Sequence, residues 1–414
     1  MTDSSENHPC SPLRSGLSTV QTAVDETGAV GFVHVGGRFD PTRRYLTRVD
    51  GPDRETAVVF LAGDANRAPQ AVYCVPSAVR TAVSDFEQTA IEGSDADCRV
   101  VGRTPTTAPG QQICAVLDDW LEDPADRLLL VPRDIPHDTA VFLQQAGYDL
   151  RSTAVVTTAR ATKTRAERDC LRTVQTAAAT GIARAESVVA ASETSSHGLV
   201  ADGRPLTGER LRRQMNSALA AAGVDPVGNS SVVSDSIDST DQLPVGEPIQ
   251  LTVAPRGPRG YHGYLTRTLA VDSEGGWERR AFIAVEAGLQ AAEQTTETGV
   301  AVSTVEAEAV AEVGAYGFAV APEPDEPTRG LATAAVHGVG LSTHEQPAVG
   351  AGRRLQSGSV IAADAGVSDP THGSVRLGTV FELTTDGTER LVEYPSSLTP
   401  VDRCGDHTRF ETDE

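Results

Sequence analysis

The chain has 414 residues, 39% of them hydrophobic, and carries a formal charge of −22 at pH 7, with 57 acidic against 35 basic side chains. Such a length predicts two or three domains with sizeable cores, and no apolar run approaches the ~18 residues of a membrane-crossing helix. The negative balance, with no basic stripe to offset it, excludes a nucleic-acid binder, because phosphates would be repelled.

The basic residues are almost all arginine; Lys163 is the one lysine. An acidic, arginine-rich surface suits a high-salt cytoplasm, where carboxylates stay hydrated and salt screens their repulsion. Residues 1–15 are polar and read as a disordered tail, as do residues 402–414. The first tail lacks the basic-then-apolar order of a signal peptide, so a cytoplasmic protein is expected. Cys10, Cys74, Cys98, Cys114, Cys170 and Cys404 are scattered, with no CxxC spacing. They read as reduced thiols, not as zinc ligands or disulfides.

Residues 16–160 alternate helical and extended patterns. A helix is predicted over 16–26, then strands at Val30–Val35, Thr56–Leu61 and Ala71–Val75, and a helix near 78–88. Ile113–Leu121 is amphipathic, Leu128–Val131 extended, and 138–146 helical. The alternation argues an α/β layer domain.

A second domain, 161–401, opens with a long helix from Arg165 to about Ser192. Thr207 then caps a helix running to Ala222, with Glu209 in its first turn. Strands are predicted at Ile249–Val253 and Tyr264–Val271, helices at 277–293 and 302–313, and strands at 359–363 and 376–384. Asp386-Gly387 is a turn signal.

Two segments of this second part carry chemistry. One runs from His337 through Gly338 and Gly340 to His344, Glu345 and Pro347; with nine histidines in the chain, two within eight positions is a concentration. The other reads Gly260-Tyr261-His262-Gly263-Tyr264-Leu265-Thr266-Arg267-Thr268. Together they resemble the motifs of the pita-bread metallopeptidases: methionine aminopeptidase, aminopeptidase P, prolidase and the metal-free creatinase. Arg44-Tyr45-Leu46-Thr47 resembles a segment of the N-terminal domain of creatinase and aminopeptidase P. The resemblance implies an α/β N-terminal domain followed by an α+β pita-bread domain, and a homodimer.

The active relatives hold two divalent metals, such as Mn or Co, with two Asp, one His and two Glu. Carried over residue by residue, the first Asp position is Val253 and the second is Tyr264. The histidine is His337, the first Glu is shortened to Asp364, and the second is replaced by Gly378, two residues after Arg376. The family's upstream substrate-binding histidine is expected near Ser234–Ser236, and it is absent. Valine and glycine cannot bind a metal, and one His with one Asp cannot offset two dications. The resemblance therefore implies a degenerate site without metal, and a pseudo-peptidase that binds a small molecule or peptide. The alternatives are a creatinase-like amidohydrolase using His337 and His344 as acid and base, or an active Xaa-Pro aminopeptidase with a site rebuilt from His262, His337 and Asp364. His344, Tyr264, His262, Asp364 and Arg376 are the expected pocket residues, with Arg376 facing an anion or paired to Asp364. Glu382 would share the face of Gly378.

Overall fold

The computed structural model describes residues 16–64, 66–88, 96–104, 106–121, 127–322 and 329–403. Residues 1–15 and 404–414, most of the two expected tails, lie outside the described residues. Arg403, assigned to the second tail, donates from its guanidinium to Glu186 Oε2 at 2.6 Å. The chain divides into two compact units at Arg160/Ala161.

The first unit runs α1 (Leu17–Thr27), β1 (Gly31–Gly36), α2 (Pro41–Thr47), β2 (Thr56–Leu61), β3 (Gln70–Pro76), β4 (Asp97–Arg103), α3 (Pro109–Trp120), β5 (Leu128–Pro132), α4 (His137–Gln145), β6 (Asp149–Thr153) and α5 (Val155–Ala159). Its six strands form a mixed sheet ordered β4-β3-β2-β1-β5-β6. β1 and β2 are buried along their whole length, which is why they read as continuous apolar runs and not as alternation. The expected helix near 78–88 is instead two 3₁₀ turns, Ser77–Val79 and Thr81–Gln88, the second broken at Val83. The tighter three-residue turn brings Val83 and Phe86 to one side, and both are buried.

The second unit continues with α6 (Arg165–Ala190), β7 (Glu193–Ser195), β8 (Gly198–Ala201), β9 (Arg204–Pro205), α7 (Gly208–Ala221), β10 (Ser230–Val233), β11 (Ile249–Val253), β12 (Leu265–Leu269), α8 (Trp277–Thr295), α9 (Val302–Ala315), β13 (Leu331–Gly338), β14 (Val360–Asp369), β15 (Gly373–Leu383) and β16 (Thr388–Arg390). Thr164 and Thr207 cap α6 and α7, each accepting a backbone N–H three residues on. The main sheet is antiparallel, ordered β10-β11-β12-β15-β14-β13, with β16 on β15. Ile249, Leu251 and Val253 of β11 pack with Val174 and Ile182 of α6 and Leu211 and Met215 of α7. Ile361, Ala363 and Ala365 of β14 pack with α8 and α9. Both helix pairs cover the same face of the sheet, because register partners share a face. On the opposite face the register lines up Thr252, Thr266, Gly378, Asp364 and Ala335 in one row across five strands. No helix among the described residues is long and apolar enough to cross a membrane.

Candidate functional site

Tyr264 precedes β12 and reaches its hydroxyl to the middle of that row, to Thr266 and Asp364. Its backbone is held by a buried side chain of α6: Gln175 Nε2 donates to Tyr264 O at 2.7 Å, and Tyr264 N donates to Gln175 Oε1 at 2.9 Å. Three residues earlier in the motif, Tyr261 donates its hydroxyl to Glu167 Oε1 at 2.8 Å, and Glu167 also closes the capping box of α6. The loop before β12 is thus pinned to α6 at two points, and the phenol of Tyr264 is aimed across the sheet.

That phenol is fully bonded. It donates to Asp364 Oδ1 at 2.7 Å and accepts from Thr266 Oγ1 at 3.0 Å and from Arg376 Nη2 at 3.2 Å. Arg376 Nε donates to the same Asp364 oxygen at 3.0 Å. Burial, then the charge of Asp364, pushes the phenol's pKa far up, so it stays a neutral donor. Burial also raises the pKa of Asp364, outweighing Arg376 and the hydrogen bond from Tyr264. The second oxygen, Oδ2, is buried and receives no hydrogen bond. Opposite Asp364 stands Gly378, and a Cβ built there would lie 2.2 Å from Asp364 Oδ1 and 3.0 Å from Tyr264 Cε1.

The histidine segment lies beside this cluster. His337 ends β13, is buried, and has Nδ1 3.0 Å from Gly338 O, so that nitrogen carries the proton and donates. Its ring meets Tyr264 edge-on at 6.1 Å and stacks on exposed His344 at 4.1 Å. Burial lowers its pKa, and the neighbouring His344 and Arg376 push the same way. The loop between the histidines is fixed by backbone bonds from Glu345 N to Gly338 O and from Gly338 N to Pro347 O. Lys163 and Glu345, both buried, form an ion pair at 3.2 Å across 182 residues of sequence. Glu345 Oε1 also accepts from Ser342 N.

The remaining expected residues are placed elsewhere. Val253 faces the core under α6 and α7; the β11 side chain on the Tyr264 face is Thr252, 3.1 Å from Thr266. His262 does not join His337 and Asp364. Its backbone N donates to Gly340 O, its ring Nδ1 is buried without a hydrogen-bond partner among the described residues, and burial lowers its pKa. Glu382 pairs with Arg168 and Arg172 of α6 at 2.7 and 2.8 Å, two strand positions beyond the row's neighbours. Ser234 and Ser236 line a separate cleft with Pro370–Gly373, at the hairpin end of β14 and β15. Sequence reading missed Gln175, Thr252, Thr266 and the Lys163–Glu345 pair. A glutamine within the apolar stripe of α6, between Leu171 and Ala178, was the available signal for the first.

Two divalent ions of the kind the resemblance implies do not fit these residues. The Asp364 carboxylate lies against Gly378 with the Tyr264 phenol packed beside both, the phenol is neutral, and position 378 has no room for a carboxylate. Among the described residues no group of three His, Cys, Asp or Glu side chains is placed so that it could hold an ion. What the row offers is a neutral hydrogen-bonded cluster whose outer edge is Arg376, with 44% of its side chain exposed.

Solved structures share this architecture. A prolidase from Pyrococcus horikoshii OT3 has 15% identity and a TM-score of 0.73, covering 92% of this chain and 99% of that one. An Xaa-Pro dipeptidase from Bacillus anthracis has 16% identity and a TM-score of 0.73, covering 92% and 98%. The N-terminal domain of the FACT complex subunit SPT16 from Cicer arietinum has 13% identity and a TM-score of 0.67, covering 91% and 94%. At these identities the likeness establishes the fold, an α/β unit followed by an α+β pita-bread unit. No curated protein sequence matches. The family model of metallopeptidase family M24 matches residues 157–385, the stretch holding both motif segments and the row of β11 to β15; the chain belongs to that family.

Proposed function

We propose that this M24 protein is a non-hydrolytic member that uses the open face of its second unit to bind a small molecule or a peptide end. One observation carries the reading. The phenol of Tyr264 packs beside Gly378 and against Asp364, whose carboxylate lies over Gly378, and all its hydrogen-bonding capacity is used within the cluster. The residues at 264 and 378 fit one another, since a side chain at 378 would meet Asp364 Oδ1 at 2.2 Å and Tyr264 Cε1 at 3.0 Å as these two are now hydrogen-bonded. A site merely damaged at one ligand would not be repacked in this complementary way. A similar structure named as part of a complex subunit, and not as a peptidase, is compatible with this use of the fold.

Metal analysis of the purified chain in high salt, with an assay for release of the N-terminal residue from an Xaa-Pro peptide, tests the reading. The expected result is substoichiometric Mn, Co, Fe and Zn and no release. Stoichiometric metal with chelator-sensitive release would overturn it. The stacked pair of buried His337 and exposed His344 favours one second reading, metal-free amide hydrolysis with these rings as acid and base. Turnover of small amides, lost on substituting both by Ala, would replace the first reading by the second. A homodimer in a salt-rich cytoplasm completes the proposal, and light scattering in molar salt tests the dimer.

A further inference from the structure

The second row on the open face runs Gln250, Thr268, Arg376, Gly366 and Thr333 across the sheet. A cleft of about 250 Å³ lies over it, bounded by Gln250, Thr333, Ala335, Ser368, Ser374 and Arg376. Its floor is small: Ala335 and Gly366 leave the strands approachable, and no aromatic side chain lines it. Sites for drug-sized ligands run from ~300 Å³ upward, so the occupant is a small molecule or a chain end.

Arg376 is the cation of this cleft, and its guanidinium is half used. The edge formed by Nε and Nη2 faces inward, to Asp364 Oδ1 and the Tyr264 hydroxyl. The opposite edge, Nη1 with the second hydrogen of Nη2, meets no acceptor among the described residues. That edge presents two parallel N–H donors, the geometry that a planar carboxylate matches with two hydrogen bonds. The other charged residue of the cleft, Asp364, is buried and turned into the cluster. A ligand therefore meets donors of Arg376 and neutral polar groups of Gln250, Thr333 and Ser374.

We propose that this cleft binds a small monocarboxylate, held by the open Nη1–Nη2 edge of Arg376. A dianionic phosphoryl group is disfavoured, since one arginine already paired to Asp364 cannot balance two charges in a chain of net charge −22. The proposal rests on the non-hydrolytic reading, since it makes the open face a resting place for a ligand and not for a peptide being cleaved.

The test uses the full chain in high salt and ligand-observed NMR titration with N-acetylalanine, its carboxamide N-acetylalaninamide, and inorganic phosphate. N-acetylalanine is expected to bind, with the carboxamide at least ~10-fold weaker, the loss of one charge-assisted contact. Arg376→Gln and Arg376→Lys are each expected to weaken it ~10-fold or more, lysine because a point charge lacks the fork. Ala335→Leu, on a different strand from Arg376 and beside Asp364, fills the cleft and is expected to abolish binding with the Arg376 side chain unchanged. Equal binding of acid and carboxamide, no binding of the acid, tighter binding of phosphate, or binding unaffected by Arg376→Gln and Ala335→Leu would overturn the inference. Peptide release measured on the same preparation keeps the two claims apart: release with carboxylate binding overturns the non-hydrolytic reading alone, and neither release nor binding overturns the cleft assignment alone.

Discussion

Each unit contains a cluster built from the same residue types, and the two are satisfied to different degrees. In the first unit Arg43 is fully buried and donates to the carbonyls of Gly37, Arg38 and Val49, to Thr47 Oγ1 and to Tyr73 OH. Asp40 beside it caps α2, accepting from Arg43 N and from His34 Nε2, both at 2.6 Å. In the second unit Arg376 uses one edge, its other edge is open, and Asp364 keeps an oxygen without a donor. The first arrangement is closed around the guanidinium of Arg43, and its one orphan among the described residues is the buried Nδ1 of His34. The second has unspent hydrogen-bonding capacity at the edge of a cleft, which is where a ligand can gain affinity. Saturation, more than composition, separates a polar core from a binding site.

The largest effect that would sharpen this contrast is on Arg43. Arg43→Leu removes all five hydrogen bonds of a fully buried guanidinium, leaving the carbonyls of Arg38 and Val49 and Thr47 Oγ1 without that donor, and is expected to destabilise the first unit by about 3–5 kcal/mol. Arg376→Leu removes one half-exposed pair and is expected to cost at most about 1 kcal/mol. Urea unfolding of both variants in the same salt checks this. Comparable losses would mean that the second cluster is as structural as the first.

Lys163 tests the histidine loop in the same terms. In a chain that otherwise uses arginine, one lysine has been kept where a compact ammonium is buried against Glu345. Lys163→Met leaves a buried carboxylate without its cation, with an expected loss of about 3–5 kcal/mol, and Glu345→Gln in that background should recover part of it. If the single variant unfolds at the wild-type midpoint, the pair does not hold the loop.

Gly378→Ala probes the fit between the two substituted ligand positions. The added methyl would lie 2.2 Å from Asp364 Oδ1, so either Asp364 or Tyr264 must shift, at about 1–3 kcal/mol. Tyr264→Phe in the same chain removes one of the crowded partners and should make the alanine better tolerated than in the wild type. Additive losses in the double variant would show that positions 264 and 378 are not coupled, and would weaken the repacked-site reading.

How far these features could be read in advance depended on sequence separation. Thr56–Leu61 and Ile249–Val253 were legible because β-branched runs end at turn residues, and Thr207 announced α7 because capping is local. β13 was not, although it carries His337. Its sequence, Leu-Ala-Thr-Ala-Ala-Val-His-Gly, is alanine-rich with little intrinsic strand preference, and pairing along all eight residues with β14 makes it a strand. The motif segments could be located by pattern, and the losses at 264 and 378 could be counted. That Val253 faces the helices, that Gln175 clamps Tyr264 from 89 residues away, and that Lys163 reaches Glu345 are products of packing, which no local pattern encodes.

Acid titration should give the smallest effects, and with opposite signs in the two clusters. Burial opposes ionisation of Asp40, but the bonds from His34 and Arg43 outweigh it and hold the carboxyl below its ordinary 3.8. The unfolded chain then takes up that proton first, so the stabilisation is present above 3.8 and is lost as pH falls through the folded value. Asp364 is shifted the other way, because its burial outweighs Arg376, Tyr264 and His337. There the folded chain binds the proton first, so the contribution is greatest below 3.8 and declines as pH rises through the raised folded value. Asp40→Asn is therefore expected to flatten the acid limb of a stability–pH curve, and Asp364→Asn to gain on the wild type as pH rises above the carboxylate range. Denaturant midpoints at constant salt across this range check both. If Asp364→Asn flattened the acid limb as Asp40→Asn should, Asp364 would be a satisfied structural carboxylate. The distinction between a closed and an open cluster would then fail at the residue on which it most depends.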